Sequence, residues 1–88
     1  MTQPAVTLYM SDWCPYCRRA MDLLRKKNIV FTAIDVEEQA KFREEMMARS
    51  NRRTVPQIFI GDRHVGGCDD LLELESSGGL DRLFQGVG

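Results

Sequence analysis

Cys14 and Cys17 enclose Pro15 and Tyr16, and a C-x-x-C in a chain without a secretion signal points to thiol redox work or to metal. Residues at i and i+3 share one face of a helix, so a helix opening at Cys14 brings both sulfurs within disulfide reach. Pro15 suits the first helical position, where its missing N–H would have had no intrahelical acceptor. The unpaired amides of that first turn and the helix dipole then favour a thiolate at Cys14, and Arg18 and Arg19 add positive potential. Cys17 sits deeper and lacks those donors. It is expected to be the resolving thiol, which attacks a mixed disulfide formed on Cys14. A tetrahedral zinc site would need further ligands, and Cys68 and His64 are what remains. They flank Val65-Gly66-Gly67 at the end of a predicted strand, and a C-x-x-C that opens a helix is not the knuckle of a zinc ribbon. No metal is expected, and His64 is read as structural.

The elements that must hold this pair follow in order. Residues 5–10 form an apolar run with β-branched and aromatic members, a buried strand that delivers the chain to Ser11-Asp12. From Pro15 to Lys27, Ala20, Met21, Leu23 and Leu24 recur at helical spacing, with Asn28 as the stop. Val30 to Asp35 reads as a second strand. Glu37 to Arg49 reads as a helix with acidic residues in its first turn and Phe42, Met46 and Met47 on one side. This βαβ unit predicts parallel strands with a right-handed crossover. Beyond a basic loop over 50–54, residues 57–60 and 63–65 flank the hairpin turn Gly61-Asp62. Asp69 or Asp70 can then cap a helix through Leu71, Leu72 and Leu74, and an amphipathic turn at 80–84 ends the pattern. The fold class is α/β: a small four-stranded mixed sheet flanked by helices, with a strand-to-helix junction presenting the reactive group.

At 88 residues and 43% apolar content the chain supports one core, so residues 1–88 read as a single domain. Twelve Lys and Arg against 13 Asp and Glu leave a formal charge of -1, which gives no global field to gather nucleic acid or an anionic membrane. No stretch approaches the roughly 18 apolar residues that a membrane span requires, and Met1 to Pro4 lack a leader pattern. The reading is a soluble protein of a reducing, cytoplasmic compartment, monomeric by default.

Cys14-Pro15-Tyr16-Cys17, Thr54-Val55-Pro56 and Gly66-Gly67-Cys68-Asp69-Asp70 resemble the signature motifs of bacterial-type dithiol glutaredoxins, and the resemblance spans nearly the whole chain. It implies a thioredoxin-like fold, a cis bond before Pro56, and glutathione as co-substrate in reducing protein disulfides and glutathionylated proteins. The implied glutathione groove lies beside Cys14 and comprises Tyr16, Thr54, Val55, Pro56 and the turn Gly67, Cys68, Asp69, Asp70. Val55 would pair its backbone with the extended tripeptide. The amides opening the following helix would hold the γ-glutamyl carboxylate, with an Asp side chain at its amine. Relatives commonly carry a lysine where this chain has Ser11, so charge for the glycyl carboxylate is sought among Arg49, Arg52 and Arg53, with Arg52 the first choice. Trp13 reads as a lid over the site or as a packed loop aromatic, and Cys68 as small packing more than as a third redox thiol. Two rival functions share the fold. One is a glutathione-ligated [2Fe-2S] carrier, disfavoured because such relatives typically show C-G-F-S. The other is a thioredoxin-reductase-dependent hydrogen donor for ribonucleotide reductase, disfavoured by the glutathione-type turn at Gly66 to Asp70.

Overall fold

A computed structural model describes residues 3–85; Met1 and Thr2 of the N-terminal segment read above lie outside them. Val6–Met10 forms strand β1, Thr32–Asp35 β2, Gln57–Ile60 β3 and Arg63–Gly66 β4. They lie in the order β2-β1-β3-β4, with β1 parallel to β2 and antiparallel to β3, and β4 antiparallel to β3. Helices α1 (Pro15–Lys26), α2 (Ala40–Ser50), α3 (Cys68–Ser76) and α4 (Gly79–Gln85) are the other elements among the described residues. The architecture is the thioredoxin-like fold expected from the sequence.

Alternation along the two central strands sorts side chains between two cores. Leu8 and Ile58 pack with Leu24 of α1, Leu71 of α3 and Leu80 of α4, all at 0% exposure. Truncating one of these leucines to alanine would cost roughly 2–5 kcal/mol through lost burial and the cavity left behind. The smaller core joins Tyr9 and Phe59 to Val36 and Met46, and the two aromatic rings meet edge to face at 5.9 Å. There the buried Tyr9 hydroxyl donates to Glu45 and accepts from Arg49 Nη1 at 2.9 Å, which ties α2 to the sheet. Gln57, beside Phe59, is the polar member of an otherwise apolar β3 and is fully buried.

Several boundaries differ from the sequence reading. β2 begins at Thr32, and Val30 ahead of it is 78% exposed. α2 begins at Ala40, not Glu37. Asp35 Oδ1 accepts the Glu37 N–H at 2.8 Å and its carbonyl accepts the Glu38 N–H, so the acidic pair is consumed in a turn before the helix can start. α3 begins at Cys68 with Gly67 as N-cap. Neither Asp69 nor Asp70 is the cap, because Asp70 occupies the third helical position and reaches back to the Gly67 N–H at 2.9 Å. Asn28 ends α1 as expected, at φ 59. Gly66 is required where it stands: its φ is +118, and a Cβ there would lie 2.2 Å from Asp70 Oδ2.

Candidate active site

Cys14 is the N-cap of α1, with extended backbone at φ -86 and ψ 112 and Pro15 following at the first helical position. Its N–H donates to the Ser11 carbonyl at 3.2 Å, which fixes the loop from β1 at the point where the helix starts. The Cys14 Sγ in turn accepts the Cys17 N–H at 3.2 Å and lies 3.8 Å from the Val55 carbonyl, to which its thiol can donate. A first-turn amide therefore faces the sulfur, the arrangement that favours negative charge there. Both cysteines are buried, Cys14 at 4% exposure and Cys17 at 0%. Burial, followed by the hydrogen bond with Cys14, pushes the Cys17 thiol up to about 12. Cys17 therefore keeps its proton at neutral pH. Cys14, Cys17 and Cys68 are all free thiols.

Two grooves meet along a wall shared by Tyr16, Thr54 and Val55. The first, of about 250 Å³, gathers Arg52, Pro56 and the Gly67–Asp70 turn against that wall. Every residue assigned to glutathione from the sequence lines it, although the elements that carry them are far apart in the chain. The Val55–Pro56 bond is cis. Cys68 is buried at the first position of α3, and burial, foremost, raises its thiol above the ordinary range. Asp69 is exposed at the groove edge. The Gly67 N–H, then Arg52, hold the Asp70 carboxyl below the usual carboxylate range.

The basic loop divides into three roles. Arg49 lies over the Phe59 ring, its guanidinium 4.1 Å from the centroid. Arg52 enters the first groove but lies 3.1 Å from Asp70 Oδ2, so its charge is already partly answered before any ligand arrives. Arg53 lines the second groove, of about 350 Å³, with Arg43, Trp13 and Cys14. Trp13 is 69% exposed and donates its indole N–H to Glu37, so it rims the site and is not packed into the loop. Ser11 is buried and presents no charge to either groove.

Gln57 is the residue that the sequence reading missed. It lines the first groove and donates to the Thr54 carbonyl at 3.0 Å and to Thr54 Oγ1 at 3.3 Å, closing the loop that carries Val55. The available signal was an amide in the middle of a buried apolar run, a placement that costs free energy unless its polar atoms find partners.

A family model described as glutaredoxin matches residues 6–65. The chain is 50% identical over 80 residues to "Glutaredoxin 3" of Escherichia coli, covering 91% of this chain and 96% of that protein. It is 48% identical over 81 residues to "Glutaredoxin" of Pseudomonas aeruginosa, covering 92% and 96%. Among solved structures, the glutaredoxin of Brucella melitensis superposes with a TM-score of 0.84 at 48% identity, covering 97% of this chain and 92% of that one. A buckwheat glutaredoxin–glutathione complex gives 0.84 at 25% identity, covering 92% and 76%.

Proposed function

Since the chain belongs to the glutaredoxin family, we propose that it is a glutathione-dependent thiol–disulfide oxidoreductase, with residues 1–88 forming one catalytic domain that works as a cytoplasmic monomer. The observation that carries this reading is the Cys17 N–H donating to Cys14 Sγ at a helix start, beside a groove that unites the Thr54–Pro56 and Gly67–Asp70 segments. Glutathione's presence in the buckwheat complex, a relative of the same fold, supports the choice of co-substrate.

On a glutathionylated protein, the Cys14 thiolate attacks the glutathione sulfur. The protein–glutathione S–S bond breaks, a Cys14–glutathione disulfide forms, and the protein leaves as a thiolate that takes up a proton. A second glutathione thiolate then attacks the bound glutathione's sulfur, giving glutathione disulfide and regenerating Cys14. On a protein disulfide, Cys14 forms a mixed disulfide with the client. Cys17, once deprotonated, attacks Cys14 Sγ, forms the Cys14–Cys17 disulfide and releases the reduced client. Two glutathiones restore the dithiol. In this scheme the backbone of Val55 pairs with the tripeptide, the start of α3 with Asp69 or Asp70 receives its γ-glutamyl end, and Arg52 meets a carboxylate. Tyr16 and Pro56 form the apolar wall.

Glutathione-dependent reduction of a glutathionylated peptide, coupled to glutathione reductase and NADPH, tests the proposal. Saturable turnover is the expected result. Turnover that requires thioredoxin reductase and ignores glutathione would overturn it.

A further inference from the structure

We propose that Gln57 and His64 are positioning residues for thiol exchange: a serial relay from β4 that holds the Val55 backbone against Cys14. This inference rests on the glutathione reading above.

The Gln57 amide spends both its ends. Its Nε2 donates to the Thr54 carbonyl at 3.0 Å and to Thr54 Oγ1 at 3.3 Å, which leaves Oε1 to face His64 Nε2 at 2.7 Å. An amide oxygen is acceptor only, so the imidazole must be the donor and neutral His64 is the Nε2–H tautomer. Burial first, then Arg52, disfavours the imidazolium, and Asp70 opposes them. The imidazole is in turn set by the sheet. It stacks on Phe59 at 4.8 Å and 24°, its register partner across an irregular β3–β4 pairing.

Gln57 is 0% exposed, and a leucine of similar size would fill that space without desolvating an amide. Packing alone therefore does not account for it. What the amide supplies is a fixed Thr54. Thr54 is covalently joined to Val55, whose carbonyl receives the Cys14 thiol at 3.8 Å and which lines both grooves. Released from Gln57, Thr54 is an exposed loop residue, and among the described residues no other donor meets its carbonyl. The surface that is to pair with glutathione would then sample several positions, and binding would bear the entropy of ordering it.

The test compares His64→Phe, which keeps the stack on Phe59 and loses the donor, with His64→Gln, whose side-chain Nε2 restores a donor at the same reach. Gln57→Leu and the double variant Gln57→Leu/His64→Phe complete the set. In the glutathione-coupled assay, His64→Phe and Gln57→Leu are each expected to raise KM for glutathione about fivefold with kcat changed less than about twofold. The double variant should be no worse than either single, as for two links in one series, and His64→Gln should recover most of the loss. Losses that add in the double variant, or a KM at the wild-type value in His64→Phe, would overturn the relay. Should Gln57→Leu fail to fold, the two His64 variants decide the matter, since that ring is only half-buried. A second readout needs no glutathione: the rate of Cys14 alkylation by iodoacetamide should change at least threefold in His64→Phe as the Val55 carbonyl moves off the thiol. An unchanged rate sinks the relay. A changed rate in a protein whose wild type never turns over glutathione sinks only the functional reading.

Discussion

Resolution by Cys17 should be the pH-limited step of protein-disulfide reduction. A thiol at about 12 in place of the ordinary 9.0 presents about a thousandfold less thiolate at pH 7. The more basic thiolate is also the better nucleophile, with a Brønsted exponent of about 0.4–0.5, which returns a factor of roughly 20. The thiolate deficit wins, and about fiftyfold is the ceiling on the slowing relative to an unburied thiol in the same geometry, because part of the shift comes from Cys14 itself. Of the causes that raise Cys17, burial is the largest and the Cys14 hydrogen bond the second. The second vanishes once Cys14 is in a mixed disulfide, but burial remains, so Cys17 stays well above neutral in the intermediate. The resolving rate should therefore climb close to tenfold per pH unit from about pH 6.5 to 8.5. The assay mixes reduced protein rapidly with glutathione disulfide, quenches in acid and follows the Cys14–glutathione adduct by mass. A decay rate flat across that window, or one that levels off near pH 7, would refute the claim that burial sets the pace.

The roles of the two cysteines separate by substitution: Cys14→Ser should abolish all turnover, whereas Cys17→Ser should keep deglutathionylation and lose reduction of protein disulfides, with equal losses in both assays refuting the assignment. Asp70→Ala removes the Gly67 back-bond and a half-exposed ion pair, so it should cost about 1 kcal/mol, or roughly 4–8 °C in Tm for a domain of this size. Because the folded Asp70 is held below the usual carboxylate range, its contribution is present above about pH 4 and is lost as pH falls through the lower folded value. Melting curves of wild type and Asp70→Ala should therefore converge in acid, and a difference that persists there would show that the loss was one of packing. Arg52→Ala should raise KM for glutathione a few fold, about 0.5–1 kcal/mol, with kcat nearly unchanged and added salt mimicking the effect; abolished catalysis would instead place Arg52 in the chemistry.

How far the sequence could be read depended on the range of the interaction that decided each feature. Cys14, Pro15 and Cys17 define a helix start within four adjacent residues, and the Gly61-Asp62 turn defines its hairpin equally locally, so both were legible from spacing alone. The start of α2 was not. Glu37 and Glu38 suit a helix's first turn as well as a loop, and what settled it was Asp35, at the end of a strand, capturing their amides first. The same competition moved the cap of α3, where Asp70 is as good an N-cap as it is a third-position acceptor, and the close approach of Gly66 decided between them. Arg49, Arg52 and Arg53 looked equivalent in a basic loop because their fates are set by partners remote in the chain: Phe59 beneath Arg49, Asp70 across from Arg52, and Trp13 and Cys14 in the groove beside Arg53. The link between Gln57 and His64 is the least local of these, since it requires the irregular register of β3 on β4. Yet Gln57 carried a warning in its own context. A buried amide must find partners, and in a strand that opens right after the Thr54-Val55-Pro56 segment, the nearest backbone it can satisfy is the Thr54 carbonyl, one residue before the Val55 carbonyl that lies 3.8 Å from Cys14 Sγ.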